Sequence, residues 1–188
     1  RKESSAASDV YKRQMLRRAA GLIPALGGIA KKGDSARTAV LGGGDIYCGA
    51  PYYAAEAAFR VGADLSHVWA SESAAPIIRA YSPALCVHPT LLGGVAGAEG
   101  RAWLHALDAV CVGPGLGRQE EPLDAVRGWL AAIYEANKAR DGAQVALVVD
   151  ADGLRLMLHG EEQPSLGQWA VLTPNHREFR RLAKERLA

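Results

Sequence analysis

The chain has 188 residues, of which 49% are apolar and 22% charged, so it suits one domain with a sizeable buried core and is not a disordered or low-complexity chain. No apolar run approaches the roughly 18 residues that a membrane helix needs. The formal charge of +2 belongs to the first fourteen residues, where Arg1, Lys2, Lys12 and Arg13 stand against Glu3 and Asp9; the neutral remainder offers no electrostatic footprint for nucleic acid.

Residues 1–14, RKESSAASDVYKRQ, lack apolar periodicity and stop just before Met15. They read as a non-native leader, in the manner of a translated sequencing adapter; the competing reading is a basic organelle-targeting segment. Fold reasoning therefore begins at residue 15. TAVLGG, from Thr38, predicts a strand. APYYAAEAAFRVG follows, with Pro51 near its start and Gly62 at its end, and predicts a helix. LSHVWAS from Leu65 predicts a strand, ESAAPIIRAYS a helix with Pro76 in its first turn, and ALCVHP from Ala84 another strand. GGVAGAEG, residues 93–100, reads as a flexible loop. LDAVCVG from Leu107 returns to strand. EEPLDAVRGWLAAIYEANKAR is a long helix candidate whose early acids and late Lys138 and Arg140 match the helix dipole. QVALVVD from Gln144 and WAVLT from Trp169 complete the strands, and NHREFRRLAKERLA is the last helix. Most of these runs are too continuous for a sheet with one wet face and fit strands covered on both sides. Strand and helix in alternation predict a parallel α/β sheet with right-handed crossovers.

Cys48, Cys86 and Cys111 show no metal-binding spacing, and the last two lie inside apolar runs as buried thiols would. That usage points to a reducing compartment. The five histidines are scattered, without zinc-ligand spacing on a helix.

In a parallel sheet the segments that follow the strands share one edge, where ligands of open α/β sheets bind. Here those segments are Gly42-Gly43-Gly44-Asp45, Gly113-Pro114-Gly115-Leu116-Gly117, Asp150-Ala151-Asp152-Gly153 and Thr173-Pro174-Asn175. Each glycine loop alone is as well explained as turn punctuation. Four on one edge favour a site where backbone N–H groups approach an anionic or planar ligand. Gly42–Gly49 lacks the Lys-Ser/Thr of a P-loop, and GPGLG has the wrong spacing for a dinucleotide fingerprint. Asp150 and Asp152 fit helix capping or ligand contact. Asn175 and Glu178 fit a capping box, or a phosphate and magnesium site at a helix tip. Arg177, Arg180 and Arg181 fit phosphate contacts or a solvated face.

GGGDIYCGAPYYAAEAAFRVGADLSHVWA, AYSPALCVHPTLLG, VCVGPGLGR, VVDADGLRLML and AVLTPNHREFRRL together resemble the ATP-dependent (S)-NAD(P)H-hydrate dehydratases of the ribokinase-like superfamily. The resemblance runs from about Lys32 to Leu182, and GADLSHVW looks most like the ATP-using, mainly eukaryotic branch. It implies a three-layer α/β/α fold with a mainly parallel sheet, residues 15–188 forming the N-terminal part of the domain. It implies a lyase that uses ATP and Mg2+ to dehydrate the S epimer of NADHX or NADPHX, releasing ADP and phosphate, alongside an epimerase that supplies that epimer. Neither nucleic acid nor membrane is an expected partner, and a homo-oligomer is compatible. The expected compartment is the cytoplasm, with mitochondrion or plastid as alternatives. Residue by residue, Gly115 matches one substrate-contacting position, and Asn175, His176, Arg177, Glu178, Phe179, Arg180 and Arg181 match a second segment. Glu178 also matches a position near magnesium, direct or through water. Ala50 and Tyr53 match the same pocket. Two departures stand out: Cys48 replaces a usual threonine, and the chain stops before the family's G-x-G-D segment, which carries the anion hole, most of the ATP site and the catalytic aspartate. No general base is therefore named, and the 188-residue piece alone is expected to be inactive. The alternatives are a ribokinase-like kinase of a vitamin alcohol and a non-catalytic nucleotide-binding module.

Overall fold

A computed structural model describes residues 3–21, 31–93, 98–158 and 166–186. It divides into two compact units, Arg1–Lys31 and Lys32–Ala188. In the first, Glu3–Ala20 forms a helix, α1, that continues through Met15. Its alanines and long straight-chain residues favour a helical backbone. The missing apolar periodicity corresponds to a helix that leaves Val10, Tyr11, Met15 and Leu16 exposed.

The second unit holds six strands: β1 (Arg37–Leu41), β2 (Leu65–Trp69), β3 (Cys86–His88), β4 (Ala109–Val112), β5 (Ala146–Val149) and β6 (Ala170–Leu172). All six predicted runs are strands. They form one parallel sheet in the order β3-β2-β1-β4-β5-β6. The chain winds outward from β1 in one direction and from β4 in the other, so a topological switch point lies between these two strands.

The two faces are covered by different helices. Val40 and Val68 pack with Ala55 of α2 (Gly49–Arg60) and with Ala74, Ala75 and Ile78 of α3 (Ala74–Tyr81). Ala39, Leu41 and Trp69 point the other way, toward α4 (Ala98–Ala106) and α5 (Glu120–Ala139), which contribute Leu104, Val126, Trp129 and Ile133. A short 3-10 helix, Ala151–Met157, and Leu182 of α6 (His176–Arg186) close that side. The period-two alternation of Ala39, Val40 and Leu41 is what a strand buried on both faces requires.

One expectation is corrected. The predicted loop over residues 93–100 overlaps α4: Gly94 to Gly97 lie outside the described residues, but Ala98–Ala106 is helical. Trp103 and Leu104 of this helix, with Leu107 just past its end, pack into the core. The glycines just upstream obscured that pattern. The last strand, β6, pairs with β5 and is the sheet's edge among the described residues, leaving Val171 and Leu172 exposed. Among the described residues no helix is long and apolar enough to cross a membrane.

One buried polar group lies beneath this frame. His67 of β2 is 2% exposed and stacks among Trp69, His88 and Trp103. Its Nδ1 is 3.0 Å from His88 Nε2, while its Nε2 has no partner. Burial first, then the positive charges that His88 and Arg37 can present, lowers its pKa to about 4. Above pH 6.5 the ring is neutral folded or unfolded and contributes no pH dependence. Between about 6.5 and 4 the unfolded chain takes up a proton that the folded chain refuses, so stability falls with pH by a total on the order of 3 kcal/mol. Urea denaturation should show this slope, and His67→Asn should flatten it in that window; an unchanged slope would mean that His67 is protonated in the fold.

Candidate functional site

The loop after β1 and the loop after β4 are woven together at the switch point. Gly43 N–H donates to the Pro114 carbonyl at 3.1 Å, and Gly44 N–H to the Gly115 carbonyl at 2.7 Å. Gly42 N–H donates to the Trp69 carbonyl and Ser71 N–H to that of Gly43, which ties in β2. A Cβ on Gly42 would collide with the Pro114 carbonyl oxygen. Gly115 has φ +61, and a Cβ there would lie 2.7 Å from the Tyr47 carbonyl oxygen. The glycines thus first satisfy a backbone-to-backbone approach between two loops. For Gly115 this precedes any approach to a ligand.

Between the loops opens a cavity of about 880 Å³, lined by Gly44–Ala50, Gly115–Gln119 and Asp152. Asp152 Oδ2 accepts the Gly117 N–H at 3.0 Å, so the loop after β5 anchors the loop after β4. Asp150 Oδ1 accepts the Thr173 hydroxyl at 2.7 Å, which joins the loop after β5 to that after β6. No side chain caps the 3-10 helix, so both aspartates link loops instead. On the opposite rim, the Ser73 hydroxyl donates to Asp45 Oδ1 at 2.6 Å. Arg118 and Asp152 also line a second, smaller cavity of about 50 Å³, which adds Arg155, Glu178 and Arg181. The four loop segments therefore meet along one edge, as the parallel topology requires.

Helix ends set the local electrostatics. Neither Cys48, before α2, nor Gln119, before α5, makes a side-chain cap, and α2 has no acid in its first turn. Both starts contribute to the large cavity's lining, but Glu120 and Glu121 in the first turn of α5 already answer its dipole, so it is the start of α2 that favours negative charge there. The start of α6 differs. Asn175 Oδ1 accepts the N–H groups of Arg177 (3.0 Å) and Glu178 (3.1 Å), and Glu178 Oε2 accepts that of Asn175 (2.8 Å). This is a complete capping box. The expectation that free N–H groups at the α6 tip attract phosphate is corrected to that extent, because two of them are already taken.

Gly115 and Ala50 line the large cavity, and Glu178 and Arg181 the small one. Asn175 caps α6, while His176, Arg177, Phe179 and Arg180 are exposed on it and line neither cavity. Tyr53 is 71% exposed on α2 and lines neither. Sequence reasoning missed Arg118, Gln119 and Arg155. The first two follow GPGLG directly, so the loop motif was the available signal. Arg155 had none, because its place follows from the 3-10 turn. Among the described residues no three acidic, histidine or cysteine side chains form a metal-binding group. Cys111 is an inert thiol, its pKa pushed up to about 12 by burial and then by Asp150.

The sequence profile described as NAD(P)H-hydrate dehydratase matches residues 38–188. The ATP-dependent (S)-NAD(P)H-hydrate dehydratase of Pongo abelii is 51% identical over 164 residues, covering 86% of this chain and 47% of that protein. Its Danio rerio counterpart is 43% identical over 163 residues, covering 85% and 46%. The chain thus spans about half the length of the curated relatives it matches. Among solved structures, a ribokinase-like superfamily protein from Enterococcus faecalis V583 superposes with TM-score 0.66 at 22% identity, over 86% of this chain and 53% of that one. The ADP/ATP-dependent NAD(P)H-hydrate dehydratase of Bacillus subtilis, co-crystallised with ATP/Mg2+, gives 0.61 at 22% identity, over 86% and 52%. These two likenesses establish the ribokinase-like fold.

Two substitutions test the geometry. Gly42→Ala should destabilise the chain by about 1–3 kcal/mol, since the blocking atom is a backbone carbonyl; a neutral result in urea denaturation would contradict the close loop approach. Glu178→Ala should cost about 1 kcal/mol, whereas Glu178→Gln, which preserves the capping acceptor, should cost only a few tenths. Equal losses from both would show that the carboxylate's charge, and not the cap, stabilises α6.

Proposed function

The chain belongs to the NAD(P)H-hydrate dehydratase family, and from that premise we propose that the protein dehydrates the S epimer of NADHX and NADPHX with ATP, restoring NADH or NADPH and releasing ADP and phosphate. The observation that carries the reading is the glycine-lined cavity at the β1/β4 switch point, which shares Arg118 and Asp152 with a smaller charged one. Its size suits a nucleotide-scale ligand, and the uncapped, acid-free start of α2 favours that ligand's negative charge. The matched relatives' names support this reading over a vitamin-alcohol kinase or a non-catalytic module.

In the proposed reaction the substrate hydroxyl takes the terminal phosphoryl group of ATP, then leaves as phosphate while the ring loses a proton and regains its double bond. Phosphate departs far more readily than hydroxide. This chain's part is to bind and orient. Gly115 and Ala50 let the ligand approach the loop backbone. The segment Asn175, His176, Arg177, Glu178, Phe179, Arg180 and Arg181 forms the substrate's second wall, with Glu178 and Arg181 as its inner members and the others as its outer rim. Mg2+ would neutralise phosphate charge beside Asp152 and Glu178. These two carboxylates line one small cavity, which fits an ion usually held by one or two carboxylates together with phosphates. The proposal extends to a homo-oligomer that works after an epimerase supplying the S form. We assign it to the cytoplasm, with mitochondrion or plastid as alternatives; its three free cysteines accord with a reducing compartment.

The protein carrying this chain together with the remainder of the domain should restore NADH absorbance from the S hydrate only when ATP is present. Absence of recovery, with phosphorylation of a vitamin alcohol instead, would replace the dehydratase by a kinase. In the same protein Glu178→Gln should lower the magnesium-dependent rate at least tenfold while the urea midpoint stays near that of the parent. Loss of midpoint with the rate preserved would leave Glu178 as a cap alone.

A further inference from the structure

We propose that Asp45 is a specificity-determining residue of the large cavity: it accepts a hydrogen bond from the adenosine ribose hydroxyl that is free in NADHX and phosphorylated in NADPHX, and so favours NADHX. The choice of substrates rests on the dehydratase reading; the placement of charge rests on the cavity. Asp45 stands exposed on the lining, in the loop after β1. Its Oδ1 accepts the Ser73 hydroxyl at 2.6 Å, and the Ser71 and Ser73 hydroxyls are 2.9 Å apart. Ser73 has one proton and gives it to the carboxylate, so Ser71 donates to Ser73. Ser71 Oγ in turn accepts the Ala74 N–H at 3.2 Å, and the Ser71 N–H donates to the Gly43 carbonyl at 2.9 Å. The bonds therefore run one way, from the start of α3 to Asp45. They fix the carboxylate from one side and leave Oδ2 without a hydrogen-bond partner among the described residues. An acceptor held in place beforehand loses little entropy when a ligand donates to it.

Charge then selects the group. Among the described residues Arg118 is the cation on this lining; it belongs to the loop after β4 and forms no ion pair with Asp45. Glu72, between the two serines, is exposed and adds a second negative charge to the same loop cluster. A dianionic phosphate beside Asp45 would meet like charge. A ribose hydroxyl is neutral and has a proton to give, and a carboxylate accepts it with a charge-assisted bond. An acid in that position accepts a free ribose hydroxyl, whereas a phosphate there calls for an arginine. The orientation of the dinucleotide follows from its reacting end. With the hydrated ring toward Mg2+, beside Asp152 and Glu178, the diphosphate falls near Arg118 and the start of α2, and the adenosine reaches the rim that Asp45 holds.

The test compares the S epimers of NADHX and NADPHX as substrates, at saturating ATP, for the protein carrying this chain together with the remainder of the domain. The parent should favour NADHX by roughly tenfold in kcat/KM, chiefly through KM. Asp45→Asn keeps the acceptor for Ser73 and removes the charge; it should bring the two substrates to within roughly twofold of each other. Ser73→Ala loosens the carboxylate but keeps its charge, so it should weaken both substrates and leave their ratio near the parent's. Equal use of the two hydrates by the parent, or the parent's ratio retained in Asp45→Asn, overturns the assignment and leaves Asp45 as a tie between loops. Urea midpoints check that each variant is folded. Should Asp45→Asn unfold, the parent's ratio is followed with salt: a preference set by an exposed carboxylate should shrink as ionic strength rises, and a ratio indifferent to salt overturns it. Calorimetric titration with NAD+ and NADP+ separates the two readings. If Asp45→Asn closes the gap between these ligands in a protein that dehydrates neither hydrate, the dehydratase reading falls and Asp45 stands. If both hydrates turn over while the parent binds NAD+ and NADP+ alike, the dehydratase reading stands and Asp45 falls.

Discussion

The close approach of two loop backbones at the β1/β4 switch point is the constraint on which the site depends. Gly43 and Gly44 donate their N–H groups to the carbonyls of Pro114 and Gly115, at 3.1 and 2.7 Å. Side chains would hold the strands' exits apart, and the cavity between Asp45 and Gln119 would lose its shape. The parallel register fixes the rest. Leu41 pairs with Val112, and Val112 with Val149, so the three strands end level and their loops emerge together. Asp152 and Thr173 then bind each loop to its neighbour through a single side-chain hydrogen bond. A rigid frame at the strand ends, with function carried by the loops, follows from these few contacts.

Much of the fold was legible because its strands are buried on both faces. Continuous apolar runs such as AVLG and ALVVD have few alternatives when turn residues bound them. The same reasoning is silent about the edge. WAVLT has the composition of a covered strand, but composition cannot say that β6 has a neighbour on one side only. It failed at α4, where glycines in the preceding stretch outweighed a short apolar pattern. Propensity and pattern compete on equal terms in so short a helix.

The site was legible at the level of loops and less so at the level of atoms. That four post-strand segments share one edge follows from topology. What each polar side chain does there does not. Asn175 and Glu178 form a capping box, which their spacing allowed from the start. Asp150 and Asp152, equally suited to capping, instead accept bonds from residues 23 and 35 positions away. Such contacts depend on where distant loops come to rest, and no local rule encodes that. Arg155 reaches the cavity for the same kind of reason: the 3-10 turn puts it on the same side as Asp152, three residues before it.

Capping and ligand binding are not rival uses of the α6 tip. A carboxylate has two oxygens, each with two lone-pair directions. Glu178 engages Oε2 with the Asn175 N–H and still lines the small cavity. The cap fixes the side-chain rotamer, and a fixed rotamer lowers the entropy lost when a cation or its water is met. Asp152 is arranged likewise, with Oδ2 held by the Gly117 N–H. Both acids on this lining are therefore oriented by backbone donors before any ligand arrives, while Arg118, Arg155 and Arg181 on the same lining form no ion pair among the described residues.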